Sequence, residues 1–378
     1  MSEQPRLILG IESTCDETGA AVVDASGRVL SNAVATQHAV HERFGGVVPE
    51  LASREHLRNL IPVLEAALDA AEVDRSALGA VAVAHRPGLI GSLICGVAAA
   101  KALAWSLGLP LIGVDHVHAH LSAALLRTGP ASDAGDDVPD AGSLRGSLGL
   151  VVSGGHTALY ELADPARPTR LGGTIDDAAG EAFDKAAVVL GLGHPGGPAL
   201  DTLAEGADGS DEASADTPRL PVSMLERDSL DFSFSGLKTA FLYAVRGRPQ
   251  GRGKSAAFPR SVEALSAAER AAFAAAFRDA VVTALERKTD RAFERLTEAG
   301  RRPRGLVIGG GVAANRLLRR RFAAWGRLRA IPVWMPDLSV CLDNAAMIAG
   351  HAHLMHGWSP AGADEPGGLD LPALPTGR

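Results

Sequence analysis

The order of elements along the chain runs twice, and this repetition restricts the fold more than any single motif does. Leu7 to Glu12 is apolar and β-compatible, Ser13 to Gly19 reads as a polar turn, and Ala20 to Val23 as a second strand. Ser26-Gly27 marks another turn before a third strand, Arg28 to Asn32. Helical spacing from about Pro49 to Ala71 leads to a buried strand, Ala80 to Ala84. A helix from Gly91 to Leu107, a strand from Leu111 to Val114 and a helix from His116 complete the first round. The second round opens with Leu148 to Val152, a turn at Ser153-Gly154-Gly155-His156, a strand from Thr157 to Leu162 and a third near Leu171 to Ile175. Helical stretches, a buried strand from Gly305 to Ile308, the turn Gly309-Gly310-Gly311, a strand from Val333 to Met335 and a helix from Leu342 to Met355 follow.

Each round predicts an α/β layer domain of the ribonuclease-H-like kind. Two such domains face to face give the duplicated actin, Hsp70 and sugar-kinase architecture, whose glycine turns meet at an interdomain cleft and bind a nucleotide. This analogy concerns fold and not function. The expected division is 1–146, which carries a His pair and a linker; 147–358, the nucleotide-binding domain; and 359–378, a Pro- and Gly-rich frayed tail. Thr128 to Gly146 reads as the link between the halves, and the acidic stretch Gly206 to Pro218 as a loop.

Composition narrows the function classes. Aromatic residues make up only 4%, which argues against stacked platforms for single-stranded nucleic acid. The net charge of -7 excludes a whole-protein basic field, yet residues 301–330 hold nine Arg and no acid, and residues 241–260 hold four Arg and one Lys. These segments read as a phosphate-binding face or, equally, as solvated helices. Cys15, Cys95 and Cys341 are far apart, so neither a zinc ribbon nor a disulfide framework is expected. The N-terminus lacks the features of a secretory signal, and the apolar run Gly88 to Trp105 contains Lys101, so a cytoplasmic chain with no membrane association is expected.

Three sets of residues carry chemistry. In His116-Val117-His118-Ala119-His120, His116 and His120 stand four apart and share one helical face, where two imidazoles can grip a divalent ion. Such a pair needs a carboxylate from another segment, and Asp343 at a helix start is the choice; the alternative is incidental surface histidines. The turns Val151-Val152-Ser153-Gly154-Gly155, Gly196-Gly197-Pro198 and Gly309 to Asn315 offer backbone N–H groups to an anion without Cβ interference. No GxxxxGK[ST] sequence is present, so this is not a P-loop chain. Asp16 and Glu17 in the first hairpin turn, and Asp176, Asp177, Glu181 and Asp184 near helical spacing, can serve as bases or ribose ligands. Helix capping competes for Asp176 and Asp177.

The blocks Gly10 to Thr18, Phe44 to Arg54, the His116/His120 pair, Val152 to Thr157, Ile175 to Lys185, Asp231 to Thr239, Gly309 to Arg316 and Asp343 to Met347 resemble, in family order, the bacterial tRNA adenosine threonylcarbamoyltransferases, a family once described as glycoproteases. The resemblance implies one divalent ion, iron or else zinc, on His116, His120 and Asp343. It implies threonylcarbamoyl-adenylate touched by Val151, Val152, Ser153, Gly154, Gly155, Asp184, Gly197, Asp201 and Asn315; for a base that takes the amine proton, the hairpin turn itself offers Asp16, with Glu17 beside it. It implies adenosine 37 of tRNA as acceptor, and a non-catalytic paralogue and a small P-loop ATPase as partners. The chain departs from the family pattern at Arg86, where Gly is usual, and at Val151, where archaeal relatives carry Tyr. Rival readings are a kinase or phosphatase of the same fold and a non-catalytic nucleotide-binding scaffold.

Overall fold

The computed structural model describes residues 7–44, 46–129, 138–193, 195–207, 219–222, 228–251, 257–355 and 368–376. Its first sheet contains β1 (Leu7–Glu12), β2 (Glu17–Val23), β3 (Val29–Thr36), β4 (Leu78–Arg86) and β5 (Leu111–Asp115), ordered β3-β2-β1-β4-β5. The second contains β6 (Ser147–Val152), β7 (Thr157–Leu162), β8 (Thr169–Gly173), β9 (Leu306–Gly309) and β10 (Val333–Trp334), ordered β10-β9-β6-β7-β8. The first strand of each sheet pairs antiparallel with the second and parallel with the fourth. Both sheets thus have one topology, as the doubled element order predicts. β1 and β6 are buried along their whole length, which is why their sequences read as unbroken apolar runs rather than alternations.

The helices are α1 (His38–His41), α2 (Pro49–Ala70), α3 (Ile90–Leu107), α4 (His116–Ser122), α5 (Ala141–Leu144), α6 (Ala179–Val189), α7 (Gly196–Glu205), α8 (Ser235–Arg246), α9 (Ala267–Glu298), α10 (Arg316–Arg329) and α11 (Ala345–Met355). Local chemistry sets several boundaries. Pro49 opens α2, where its missing N–H costs nothing. Ser266 and Glu269 close a capping box at the start of α9. The long α9 buries Phe273, Phe277, Val281 and Leu285 in the main core of the second half. α3 is long and apolar enough to cross a membrane by length and composition alone, and it packs against α2 and β4.

Helices cross between the halves, so the cut at 146/147 does not divide the packing. α11, from the C-terminal part of the chain, packs on the first sheet, with Ala345, Ile348, Ala349 and Ala352 against Ile8, Ala82 and Val114. A Cβ on Gly10 would run into the Ala345 carbonyl oxygen, so helix and strand meet at backbone distance. In return, α4 packs on the second sheet: Leu121 covers Gly149, and Val117 and Leu121 join Val151, Tyr160 and Val307 in one cluster.

The expected tail also differs over residues 368–376. Leu371 and Ala373 pack against the cluster of Val81, Val83 and Leu111, and Leu374 N donates to His85 O at 2.8 Å, so the Pro-rich strip is held by apolar side chains and by backbone. In the expected link between the halves, residues 141–144 form a helical turn capped by Asp140, and 130–137 lie outside the described residues. So do 208–218 of the acidic loop.

Candidate active site

β5 ends at Asp115, whose Oδ1 accepts from the amides of Val117 and His118 at 3.0 and 3.2 Å and so starts α4. The four-residue spacing then sets His116 edge-on to His120, with ring centroids 4.8 Å apart. Asp343 arrives just before α11, which Asn344 caps by accepting from Met347 N at 3.1 Å. His116 Nε2 lies 3.6 Å from Asp343 Oδ2, and His120 Nε2 lies 3.3 Å from Asp343 Oδ1. One donor atom from each of the three residues lies within 4.8 Å of the other two. His118 points away, its ring edge-on to Tyr160 at 5.4 Å.

These residues fit a bound cation on their own geometry. His120 is fully buried, yet neither ring nitrogen has a hydrogen-bond partner; the 3.3 Å approach of Asp343 lacks the alignment of a hydrogen bond. A buried imidazole with no partner for either nitrogen leaves Nε2, which faces Asp343, open to an ion. On the far side of His116, Nδ1 is 2.9 Å from Glu12 Oε2 and 3.3 Å from Thr14 Oγ1, while Thr14 N donates to Glu12 Oε1 at 2.6 Å. Burial opposes charge on His116, but Glu12 and Asp343 overcome it and push its pKa up to about 9. Burial likewise opposes ionisation of Asp343, and His116 and His120 more than offset it, holding the carboxyl below its usual range. Glu12 and a further imidazole, His156, 6.1 Å from His116, were not singled out from the sequence. Burial, reinforced by His116 and His120, pushes His156 down to about 4.

The glycine turns meet beside this trio. Gly310 adopts φ +99°, and a Cβ there would run into Val152 O, so the turn after β9 lies directly on the turn after β6. Ser153 N donates to His156 O at 2.8 Å, and His156 N to Ser153 Oγ at 3.2 Å, closing the second turn. Gly154 and Gly155 face open space: a Cβ on either would meet nothing within 4 Å. Val151 and Val152 are buried in β6 and reach this opening only through backbone.

Asp184 Oδ1 accepts from Gly196 N and Gly197 N at 2.9 and 3.2 Å, which caps α7. Asp201 Oδ1 accepts from Asn315 Nδ2 at 2.8 Å and from the buried Arg278 at 3.2 Å, tying α7, α9 and α10 together. Asp16 and Glu17 stand at the start of β2, where Glu17 Oε1 is 3.3 Å from His38 Nε2. Burial first, with Asp343 and Asp16 adding to it and His38 opposing, pushes Glu17 up to about 8. Asp176 accepts from Phe234 N and from Ser233 and Ser235, and Asp177 pairs with Lys185 and Lys238, so both hold the loop before α6 to α8.

The arginine-rich segment 301–330 is tied into the fold. Arg319 Nε donates to Ala313 O and Nη2 to Pro336 O, each at 2.7 Å. Arg321 pairs with Asp279 and Glu286 of α9, Arg316 with Glu205, Arg329 with Asp290 and Arg301 with Glu161. Acids elsewhere in the sequence thus pair with Arg301, Arg316, Arg321 and Arg329, and backbone carbonyls hold Arg319, so these side chains serve the fold.

Residues 28–350 match the family model for TsaD, tRNA N6-adenosine threonylcarbamoyltransferase. The chain belongs to this family. A tRNA N6-adenosine threonylcarbamoyltransferase of Sorangium cellulosum is 47% identical over 351 residues, covering 90% of this chain and 89% of the relative. Another, from Moorella thermoacetica, is 45% identical and covers 92% of each. Among solved structures, HypF of T. kodakarensis aligns with a TM-score of 0.54 at 14% identity, covering 94% of this chain and 48% of HypF. That likeness concerns fold alone and agrees with the duplicated actin, Hsp70 and sugar-kinase architecture. Family membership makes the chain a transferase acting in tRNA modification.

Proposed function

We propose that the chain transfers the threonylcarbamoyl group from threonylcarbamoyl-adenylate to the N6 amine of adenosine 37, in tRNAs reading codons that start with A, and releases AMP. The observation that carries this reading is the His116–His120–Asp343 trio, two buried imidazoles and a half-buried carboxylate, with the orphan nitrogens of His120, beside two packed glycine turns. His116, His120 and Asp343 would hold one divalent ion, iron or zinc, which supplies Lewis acidity and a template for the acyl donor. Glu12 accepts from His116 Nδ1–H and so fixes the tautomer that presents Nε2 toward Asp343. The open Gly154-Gly155 backbone receives the phosphate of the adenylate, and Asp184, Gly197, Asp201 and Asn315 frame the nucleoside.

An adenine amine is a weak nucleophile because its lone pair is delocalised into the ring, so the site must orient it as well as activate the carbonyl. Its proton leaves to Asp16, or to Glu17 beside it once that carboxyl, pushed up to about 8, is ionised. A kinase of the same fold has no use for the His116/His120 pair. The paralogue subunit docks on the apolar face that α2 and α3 leave exposed through Leu57, Ile61, Ile90 and Ile94. A small P-loop ATPase joins them, and the chain works in the cytoplasm.

Nucleoside mass spectrometry of tRNA from cells depleted of this chain tests the reading. Threonylcarbamoyladenosine should disappear, and the wild-type gene should restore it while His116→Ala should not. Unchanged modification after depletion, or full rescue by His116→Ala with metal still bound, would overturn it.

A further inference from the structure

The last described stretch, residues 368–376, plays no part in the proposed chemistry and lies beyond the matched residues 28–350. It is nevertheless built into the first domain. Leu371 sits over Gly113 of β5 so closely that a Cβ on that glycine would run into it, and Gly368 lies as close to the Leu111 carbonyl. Pro372 O is 3.0 Å from His85 Nδ1, Leu374 N donates to His85 O at 2.8 Å, and Gly88 N donates to Pro375 O at 3.4 Å. The strip therefore holds both ends of the loop His85-Arg86-Pro87-Gly88.

That loop reaches the trio along two paths. Arg86 Nε lies 3.2 Å from Asp115 Oδ2, an ion pair without the alignment of a hydrogen bond, on the carboxylate whose other oxygen starts α4. Leu89 N donates to Thr14 O at 2.8 Å, and Thr14 Oγ1 touches His116 Nδ1 at 3.3 Å. α4 has only seven residues, too few to hold a helical conformation unaided. Its first turn, which bears His116, depends on what grips Asp115 and Thr14.

We propose that Gly368–Thr376 is a positioning strap for the His116–His120–Asp343 site, acting through the Arg86–Asp115 pair and the Leu89–Thr14 bond. The inference rests on the reading of that trio as a metal site. Without the strap, the loop is held from one side only, and the cap and the Thr14 contact lose their fixed positions.

The test compares the full chain, a chain ending at Gly367 and Leu371→Ala, which keeps the backbone bonds but loses the plug over Gly113. Two readouts apply: cobalt(II) titration followed by the absorption of the bound ion, and amide hydrogen exchange of the metal-free proteins. The shortened chain should bind cobalt about tenfold more weakly, the scale at which groups behind metal ligands act. Its amides should exchange faster at 84–89 and also at 115–121. Leu371→Ala should show the same changes in smaller degree, and a synthetic peptide of residues 368–378 should reverse them in the shortened chain. Faster exchange confined to 84–89, with cobalt affinity and spectrum unchanged, would reduce the strip to surface packing. Failure of the full chain to bind cobalt at all, with His116→Ala no different, would instead overturn the metal reading. The exchange at 115–121 would still decide the strap.

Discussion

Glu12 is the residue whose removal should separate holding a metal from merely bringing its ligands together. It is fully buried and touches His116 on the side away from Asp343. Glu12→Gln keeps the volume but weakens the acceptor, and metal affinity should fall about 10–100-fold. Competition with a chelator of known strength measures this, and an unchanged affinity would leave Glu12 as a residue of the fold alone. Two glycines form a second contrast. Gly154→Val adds a side chain in open space, so the melting temperature should hold while adenylate binding weakens. Gly310→Ala places a side chain at φ +99° against Val152 O, so the fold itself should lose about 1–3 kcal/mol. Calorimetry and thermal melts on both variants distinguish these outcomes; unaltered affinity in Gly154→Val would remove that turn from the nucleotide site. The two histidines were legible because a four-residue spacing fixes a shared helical face. Glu12 was not, because a carboxylate at the end of an apolar strand looks like the strand's polar edge until a residue 104 positions away meets it.

At the scale of elements, α11 joins the two halves. Its His351 is buried, with Nδ1 2.7 Å from Ser122 Oγ in the segment that follows His116 and His120. Burial, with His118 adding to it, pushes His351 down to about 4 from an ordinary 6.5. The folded chain therefore refuses a proton that the unfolded chain accepts below about pH 6.5. Stability should fall with acid from there to about pH 4, on the order of 1 kcal/mol per pH unit while this one group dominates. His351→Asn should flatten that slope in denaturant titrations between pH 4 and 6.5, and an equal slope in both proteins would assign the acid sensitivity to other groups such as His156. The strands and most helices were readable from periodicity and turn residues. The destination of α11 was not: a helix buried on nearly every side carries no polar face to show which sheet it covers. The segment around Leu371 was likewise opaque, since Pro and Gly describe its backbone and not the surface over Gly113 that Leu371 fills.

At the scale of the whole molecule, the question is where the tRNA phosphates go. The net charge is -7, and the densest run of arginines serves as internal ties: Arg319 to two backbone carbonyls, Arg321, Arg316 and Arg329 to carboxylates. Sequence alone shows the arginines as a cluster because their acids lie far away in the chain, on α7 and α9. Arg319→Glu should therefore lower stability first, through loss of bonds to Ala313 O and Pro336 O, and any loss of tRNA binding in it follows from damage to the fold. Each phosphate neutralised releases counterions and adds about 0.7–0.9 to the slope of log affinity against log salt. If few of this chain's cations are available, the chain alone should bind tRNA weakly and with a shallow slope. Adding the paralogue subunit should steepen that slope as well as raise the affinity, because new phosphate contacts come with the partner. Titrating tRNA at several salt concentrations, with and without the partner, measures both quantities. A steep slope for the chain alone would return its arginines to the tRNA surface, and a slope that the partner leaves unchanged would place the whole phosphate contact on this chain.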